Sequence, residues 1–214
     1  FNWERLPETE IAGHRMMAQR LPIHTVAAGG GSIISAYQGR LRVGPSSAGA
    51  DPGPACYRRG GPLTITDANI LLGRIQPQEF PSLFGPSCDQ TLDPLIVKKK
   101  FKELAKEINS TPETIAEGAL DIAIERMADA VKEVSICCGH EIRDGTLVAF
   151  GGAGGQHACR LAEKLSIKRI LIHPLAGVLS SFGIGIARQT QFHTINIRQP
   201  LSDKLLIKVE TIWE

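Results

Sequence analysis

The chain has 214 residues, 43% of them apolar and 21% charged, with a formal net charge of +2. That length buries the core of one large domain or two small ones, and the near-neutral balance gives no electrostatic case for nucleic acid or an anionic membrane. No apolar run approaches the ~20 residues that span a bilayer, and five cysteines without regular spacing argue against a secreted disulfide framework, so a reduced, cytoplasmic setting is expected.

The start, FNWERLPETE, is polar and acidic and shows no signal peptide. The first residue is Phe1 rather than Met, and the closing VETIWE reads as an unfinished amphipathic helix. The expectation is a piece of a longer polypeptide. Residues 1–20 give no firm element. Residues 21–28 and 32–37 read as short strands on either side of Gly29-Gly30-Gly31, and Gln38-Gly39 reads as a hairpin turn into a strand at 40–43. A loop of small residues holding Pro45, Pro52 and Pro54 follows, then a break at Gly60-Gly61-Pro62. Asp67 is placed to cap a helix whose apolar face is Ile70, Leu71 and Ile75. Residues 76–94 form a long connection packed by Phe80 and Phe84.

Residues 89–143 are a helical segment. Its first helix runs from Pro94 to about residue 109, with Val97, Phe101, Leu104 and Ile108 on one face. Lys98, Lys99 and Lys100 read as a solvated face rather than a binding patch. In the second helix Thr111 caps, Pro112 takes the first helical position and Glu113 suits the positive end of the dipole. Its stripe continues from Ile115 to about Cys138, and Gly139 stops it. Residues 144–190 change pattern. TLVAFGG and KRILI read as strands buried on both faces, a helix over 156–165 lies between them, and a small-residue helix over 178–188 follows. Strand, glycine turn, helix, strand is a βαβ unit, so the fold class is α/β.

Gly151-Gly152-Ala153-Gly154-Gly155 joins the first of those strands to its helix. Backbone N–H groups at the positive end of a helix dipole make an anion site. The other reading is a tight turn without a ligand, for which one or two glycines suffice. GxxxxGK[ST] is absent, which excludes the P-loop, and GxGxxG fails because the third position is His157. The nucleotide loop of the sugar-kinase, actin and chaperone ATPase superfamily fits better. Those folds pair an apolar strand running into GG with a second glycine turn earlier in the same half, and TVAAGGGSI supplies one.

With both turns placed, the chain resembles the hydantoinase A and 5-oxoprolinase family. The residues that carry the resemblance are IHTVAAGGGSI, RVGPSSAGADPGPACYRRGGPLTITDANILLGRI, LVAFGGAGGQHAC and HPLAGVLSSFGIGIA, covering most of residues 21–190. FPSLFGPSCDQTLD looks like the 5-oxoprolinase branch. The resemblance implies the C-terminal half of an actin-like (ribonuclease H-like) ATPase fold, a mixed sheet flanked by helices. It implies ATP-dependent opening of a cyclic amide, as in conversion of 5-oxo-L-proline to L-glutamate, with ATP and Mg2+ as cofactors. A hydantoinase B type region or subunit is the implied partner, in an oligomer of the full protein. An N-methylhydantoinase, a ketone carboxylase subunit and a nucleotide-responsive interaction module remain alternatives. By the resemblance, Gly29, Gly30, Gly31 and Ser32 line the phosphate side, Gly151, Gly152, Ala153, Gly154 and Gly155 lie along the nucleotide, and Gln156 and His157 reach the ribose or α-phosphate. Two departures stand out: Ala27 and Ala28 occupy positions where the superfamily often has an acid, and the N-terminal DxGGT-like turn is absent. Half of an ATP cleft is therefore expected to be missing, and the chain alone to be inactive.

Further positions carry two readings each. Asp51 is a candidate for metal binding or substrate orientation, or forms an Asx turn before Pro52. Asp67 is a cap or a catalytic acid, and His24 a core histidine or a substrate contact. Cys137-Cys138-Gly139-His140 lacks the paired CxxC spacing of a zinc site. Cys56 is a nucleophile near Arg58 and Arg59 or a packed thiol. His157, at a helix N-terminus, is expected to be neutral.

Overall fold

The computed structural model describes residues 8–11, 13–17 and 23–189. Two units divide the chain, Phe1–Leu179 and Ser180–Glu214. In the first unit, β1 (Thr9–Ile11) and β2 (His14–Met16) pair as an antiparallel hairpin where the sequence suggested no element. The strand expected over 21–28 is not formed at 23–28, which is irregular and mostly exposed. β3 (Ser32–Tyr37) and β4 (Arg40–Ser47) pair antiparallel from Ile34↔Val43 to Tyr37↔Arg40. Gln38 at φ 49° and Gly39 at φ 70° make the two-residue left-handed turn that suits the twist of a hairpin. β4 runs past the expected end at 43 and through Pro45. Among the described residues it pairs with β3 alone, so a proline without an N–H is tolerated there.

α1 (Ile65–Leu71) starts from Thr64, not Asp67. Asp67 is the third helical residue of a capping box and reaches back to the N-cap. Its carboxylate, fully buried, accepts from the N–H groups of Ala55 (3.0 Å), Cys56 (2.9 Å) and Thr64 (2.8 Å) and from the Thr64 hydroxyl (3.0 Å). That pins the end of the long signature loop to the helix. Gly61 belongs to the same junction: a Cβ there would lie 1.9 Å from the Gly53 carbonyl oxygen, so only glycine fits. The connection over 76–94 packs through its aromatics as expected, with the Tyr57 and Phe84 rings 4.7 Å apart.

α2 (Pro94–Ile108) is capped by the Asp93 carboxylate, which accepts from Leu95 N–H (2.9 Å) and Ile96 N–H (3.1 Å). Val97, Phe101 and Leu104 are buried on its expected face. Lys98 and Lys99 are exposed, whereas Lys100 donates to the Gly61 carbonyl at 2.6 Å. α3 (Pro112–Cys137) begins at Thr111 as expected and buries Ile115, Ala116, Ala119, Leu120, Ala123, Ile124 and Ala128. The alanines let α1, α2 and α4 (Gly154–Lys164) approach it closely. Burying each large side chain in this seam stabilises the fold by roughly 1.5–3 kcal/mol.

β5 (Leu147–Ala149) and β6 (Ile170–Ile172) pair parallel with α4 as the crossover. Both strands were expected to be buried on two faces. Instead Val148 is 47% and Leu171 54% exposed. The crossover helix contacts both strands and buries its own His157, Ala158 and Ala162, and among the described residues the strands pair only with each other. The α/β class stands, but among the described residues its strands form three separate two-stranded sheets rather than one mixed sheet. α5 (Leu179–Ile186) starts at the last residue of the first unit and is the regular element among the described residues of the second, where residues 180–189 are exposed. The helix read into VETIWE lies outside the described residues.

Candidate functional site

The first glycine turn is anchored through its carbonyls. Gly29 C=O accepts from Ser32 N–H at 3.0 Å, and Gly29 N–H donates to Ser32 Oγ at 3.0 Å. Gly30 C=O accepts from Thr66 N–H (2.9 Å) and the Thr66 hydroxyl (3.0 Å), and Gly31 C=O accepts from Ala48 N–H (2.9 Å). The N–H groups of Gly30 and Gly31 have no partner among the described residues. A Cβ on Gly30 would sit 2.8 Å from Thr66 Oγ1 and 3.9 Å from the Ala153 Cβ. The two glycine turns, more than a hundred residues apart in sequence, therefore lie side by side, and Gly30 and Ala153 line the same cavity.

The second turn is part bound and part bare. Gly151, at φ 84°, donates its N–H to the Ala176 carbonyl at 2.8 Å, and Gln156 N–H donates to the Ala153 carbonyl at 3.1 Å. The N–H groups of Gly152, Ala153, Gly154 and Gly155 have no partner among the described residues, and Ala153 offers no side-chain cap to α4. Orphan donors at a helix N-terminus favour an anion. Between the turns lies a cavity of about 290 Å³ with Gly29, Gly30, Ala153 and Gly154 on one part of its wall and Met127, Leu147 and Leu161 on another.

His157 also lines this cavity, 5% exposed, and its Nε2 is buried without a partner. Burial first, then the charge of Arg74, pushes the imidazole below its ordinary pKa, so the ring is neutral at pH 7. The sequence argument expected neutrality from the helix terminus; burial and Arg74 supply it. Gln156 Oε1 accepts from Asn69 Nδ2 of α1 at 2.9 Å, while Asn69 Oδ1, fully buried, has no partner.

The other candidates lie elsewhere. Asp51 is exposed, is not on the cavity wall and makes no side-chain hydrogen bond among the described residues, so the Asx turn is not formed either. Asp67 is consumed by its four hydrogen bonds and has no access to a substrate. His24 is exposed rather than a core residue, 3.9 Å from Glu133 at a second cavity of about 340 Å³. Cys56 is fully buried, and burial, then the charge of Asp67, drives its thiol pKa far up, which leaves it inert. Cys137, Cys138 and His140 are exposed, and among the described residues no group of three His, Cys, Asp or Glu is placed to hold a metal ion. The expected Mg2+ thus finds no ready-made ligand set here, whereas the bare amides suit the phosphates of a nucleotide. Sequence reasoning missed Thr66 and Asn69, which sit one turn apart on α1; the run TDAN looks like helix start chemistry and gives no hint of distant partners.

Residues 2–193 match the profile of the hydantoinase/oxoprolinase family (Hydantoinase_A), and the chain belongs to that family. It is 50% identical over 191 residues to 5-oxoprolinase PfmaA of Pestalotiopsis fici, a match covering 86% of this chain and 15% of that protein. It is 50% identical over 190 residues to 5-oxoprolinase of Saccharomyces cerevisiae, again covering 86% and 15%. The fold is that of the ATP-dependent caprolactamase from Pseudomonas jessenii, whose crystal structure matches with a TM-score of 0.71 at 35% identity, over 84% of this chain and 26% of that one. The chain spans about 15% of the length of these curated relatives.

Proposed function

We propose that this chain forms part of the nucleotide site of an ATP-dependent enzyme that opens a cyclic amide, with 5-oxo-L-proline as the preferred substrate and L-glutamate as the product. The observation that carries this reading is the shared cavity wall of Gly30 and Ala153, which brings two sets of unpartnered N–H groups close together. The relatives named 5-oxoprolinase supply the substrate class. An amide is a poor electrophile because resonance stabilises it. ATP supplies a phosphoryl group that turns the amide oxygen into a leaving group, and catalysis then rests on positioning and charge stabilisation. The glycine N–H groups hold phosphate oxygens without ordering any side chain, and neutral His157 adds one hydrogen bond from the cavity wall. Water activation belongs to a hydantoinase B type partner region, so this chain alone binds nucleotide weakly and turns over nothing.

The test is ATP turnover by the full protein with and without 5-oxo-L-proline. Turnover that depends on the cyclic amide, and that falls at least tenfold in Gly30→Val, supports the reading. Turnover indifferent to every cyclic amide overturns it and favours a nucleotide-responsive interaction module.

A further inference from the structure

Three polar side chains of α1 reach three separate parts of the molecule. Thr66 binds the first glycine turn through the Gly30 carbonyl. Asp67 binds the signature loop at Ala55 and Cys56. Asn69 binds the start of α4 through Gln156 Oε1. Thr66 and Asn69 are three residues apart, so they project from neighbouring points of one helix face. α1 is thus a strut whose ends grip both glycine turns.

Asn69 is an expensive residue for that place. It is fully buried, and its Oδ1 has no partner. Buried polar atoms are almost always satisfied, and an apolar side chain of similar size would serve the core better. The amide keeps one bond, to Gln156, at the cost of an orphaned carbonyl. A contact retained against stability points to position rather than to packing.

We propose that Asn69 is a positioning residue that, with Thr66, sets the separation between the two glycine turns and so fits them jointly to a ligand long enough to touch both. This rests on the nucleotide reading above. A nucleoside triphosphate spans both turns and depends on their separation. A nucleoside monophosphate reaches one turn and does not. Asn69 does not touch the ligand; it acts through Gln156 and the first turn of α4.

The experiment measures ATP and AMP binding to the full protein by equilibrium dialysis, for the wild type, Asn69→Ala, Gln156→Ala, the double variant, and Val97→Ala. Val97 is fully buried on α2, outside the cavity wall, and its truncation serves as a control for lost stability. Asn69→Ala and Gln156→Ala each weaken ATP roughly three- to tenfold, as expected for one buried hydrogen bond. The double variant is no weaker than Gln156→Ala, Asn69→Ala leaves AMP binding unchanged, and Val97→Ala binds both nucleotides as the wild type does. The reciprocal exchange Asn69→Gln with Gln156→Asn, which preserves the summed reach of the pair, recovers ATP affinity. Equal loss for ATP and AMP in Asn69→Ala, additive effects, or an ATP affinity untouched by Asn69→Ala would overturn the positioning role while leaving the nucleotide site standing. A wild-type protein that binds neither nucleotide would sink both.

Discussion

Glu117 on α3 accepts Arg160 Nη1 of α4 at 2.9 Å and, on its other oxygen, Arg74 Nη2 at 3.1 Å. It is one member of a regular series. Glu117, Asp121, Glu125, Asp129 and Glu133 recur every fourth residue along α3, and the first four each meet a cation: Arg160 bridges from Glu117 to Asp121 at 2.9 Å, Lys164 pairs with Glu125, and Lys132 lies 3.6 Å from Asp129, while Glu133 lies 3.9 Å from the His24 imidazole. Arg160 and Lys164 are themselves four apart, so two helix faces zip together by charge outside the alanine seam. The side chains are about a third exposed or more, so each pair is screened and weak. The expected outcome is a Glu117–Arg160 coupling of about 0.5–1 kcal/mol in a double-mutant cycle at low salt, shrinking by more than half at 1 M NaCl. A coupling unmoved by salt would mean the pair is held by packing.

Asp67 is the opposite case. It is fully buried, and its carboxylate accepts from three backbone N–H groups and one hydroxyl. Asp67→Ala leaves those donors unsatisfied and is expected to cost about 3–5 kcal/mol in urea unfolding, with the loop at Ala55 and Cys56 released. Cys56 reports that release. In the native chain a maleimide adds to the four exposed cysteines, Cys88, Cys137, Cys138 and Cys159, and spares Cys56. Mass spectrometry then shows four adducts on the folded wild type and a fifth only after unfolding. Five adducts on the native wild type would contradict the burial.

Much of this architecture was legible because local signals and tertiary context agreed. Thr111-Pro112-Glu113 marks a helix start, Pro94 another, and the apolar stripes of α2 and α3 have a period that admits few readings. Both glycine turns were visible as composition. What the sequence concealed is the work done by α1. Asp67 looks like a cap in any register, and whether Thr64 or Asp67 starts the helix depends on the loop that the carboxylate must also reach. The bond between Asn69 and Gln156 spans 87 residues and leaves no local trace. The apolar runs of β5 and β6 were read as buried on both faces, since periodicity records what a segment is able to bury and not what covers it.

The glycines of the two turns separate packing from binding. At Gly30 a Cβ would press on Thr66 Oγ1 at 2.8 Å, so Gly30→Ala is expected to cost about 1–3 kcal/mol and to weaken ATP binding together with stability. Around Gly155 nothing lies within 4 Å. Gly155→Ala enters the first turn of α4 without strain and is expected to raise stability by roughly 0.5 kcal/mol. If a phosphate lies on that turn, the new methyl group intrudes on it, and ATP affinity falls although the fold is stronger. Thermal unfolding and equilibrium dialysis on the same sample read the two effects. A Gly155→Ala protein that is both more stable and binds ATP fully would remove Gly155 from the site.

His157 makes the site sensitive to acid. Its folded pKa lies below the ordinary 6.5 because the ring is buried and faces the charge of Arg74. Well above pH 6.5 neither the folded nor the unfolded chain protonates this ring, and it contributes nothing to pH dependence. As the pH falls below 6.5 the unfolded chain takes up a proton that the folded chain refuses, so stability is lost, by at most about 1.4 kcal/mol per pH unit, until the folded pKa is passed. His157→Gln keeps a hydrogen-bonding group on the cavity wall but cannot titrate. Urea unfolding at pH 7.5 and 5.5 should therefore show the wild type losing more stability than the variant over that interval, with the other histidines cancelling in the comparison. Parallel losses would mean that the imidazole is protonated in place, and a cation on that wall would draw the phosphates into the cavity instead of leaving them on the glycine amides.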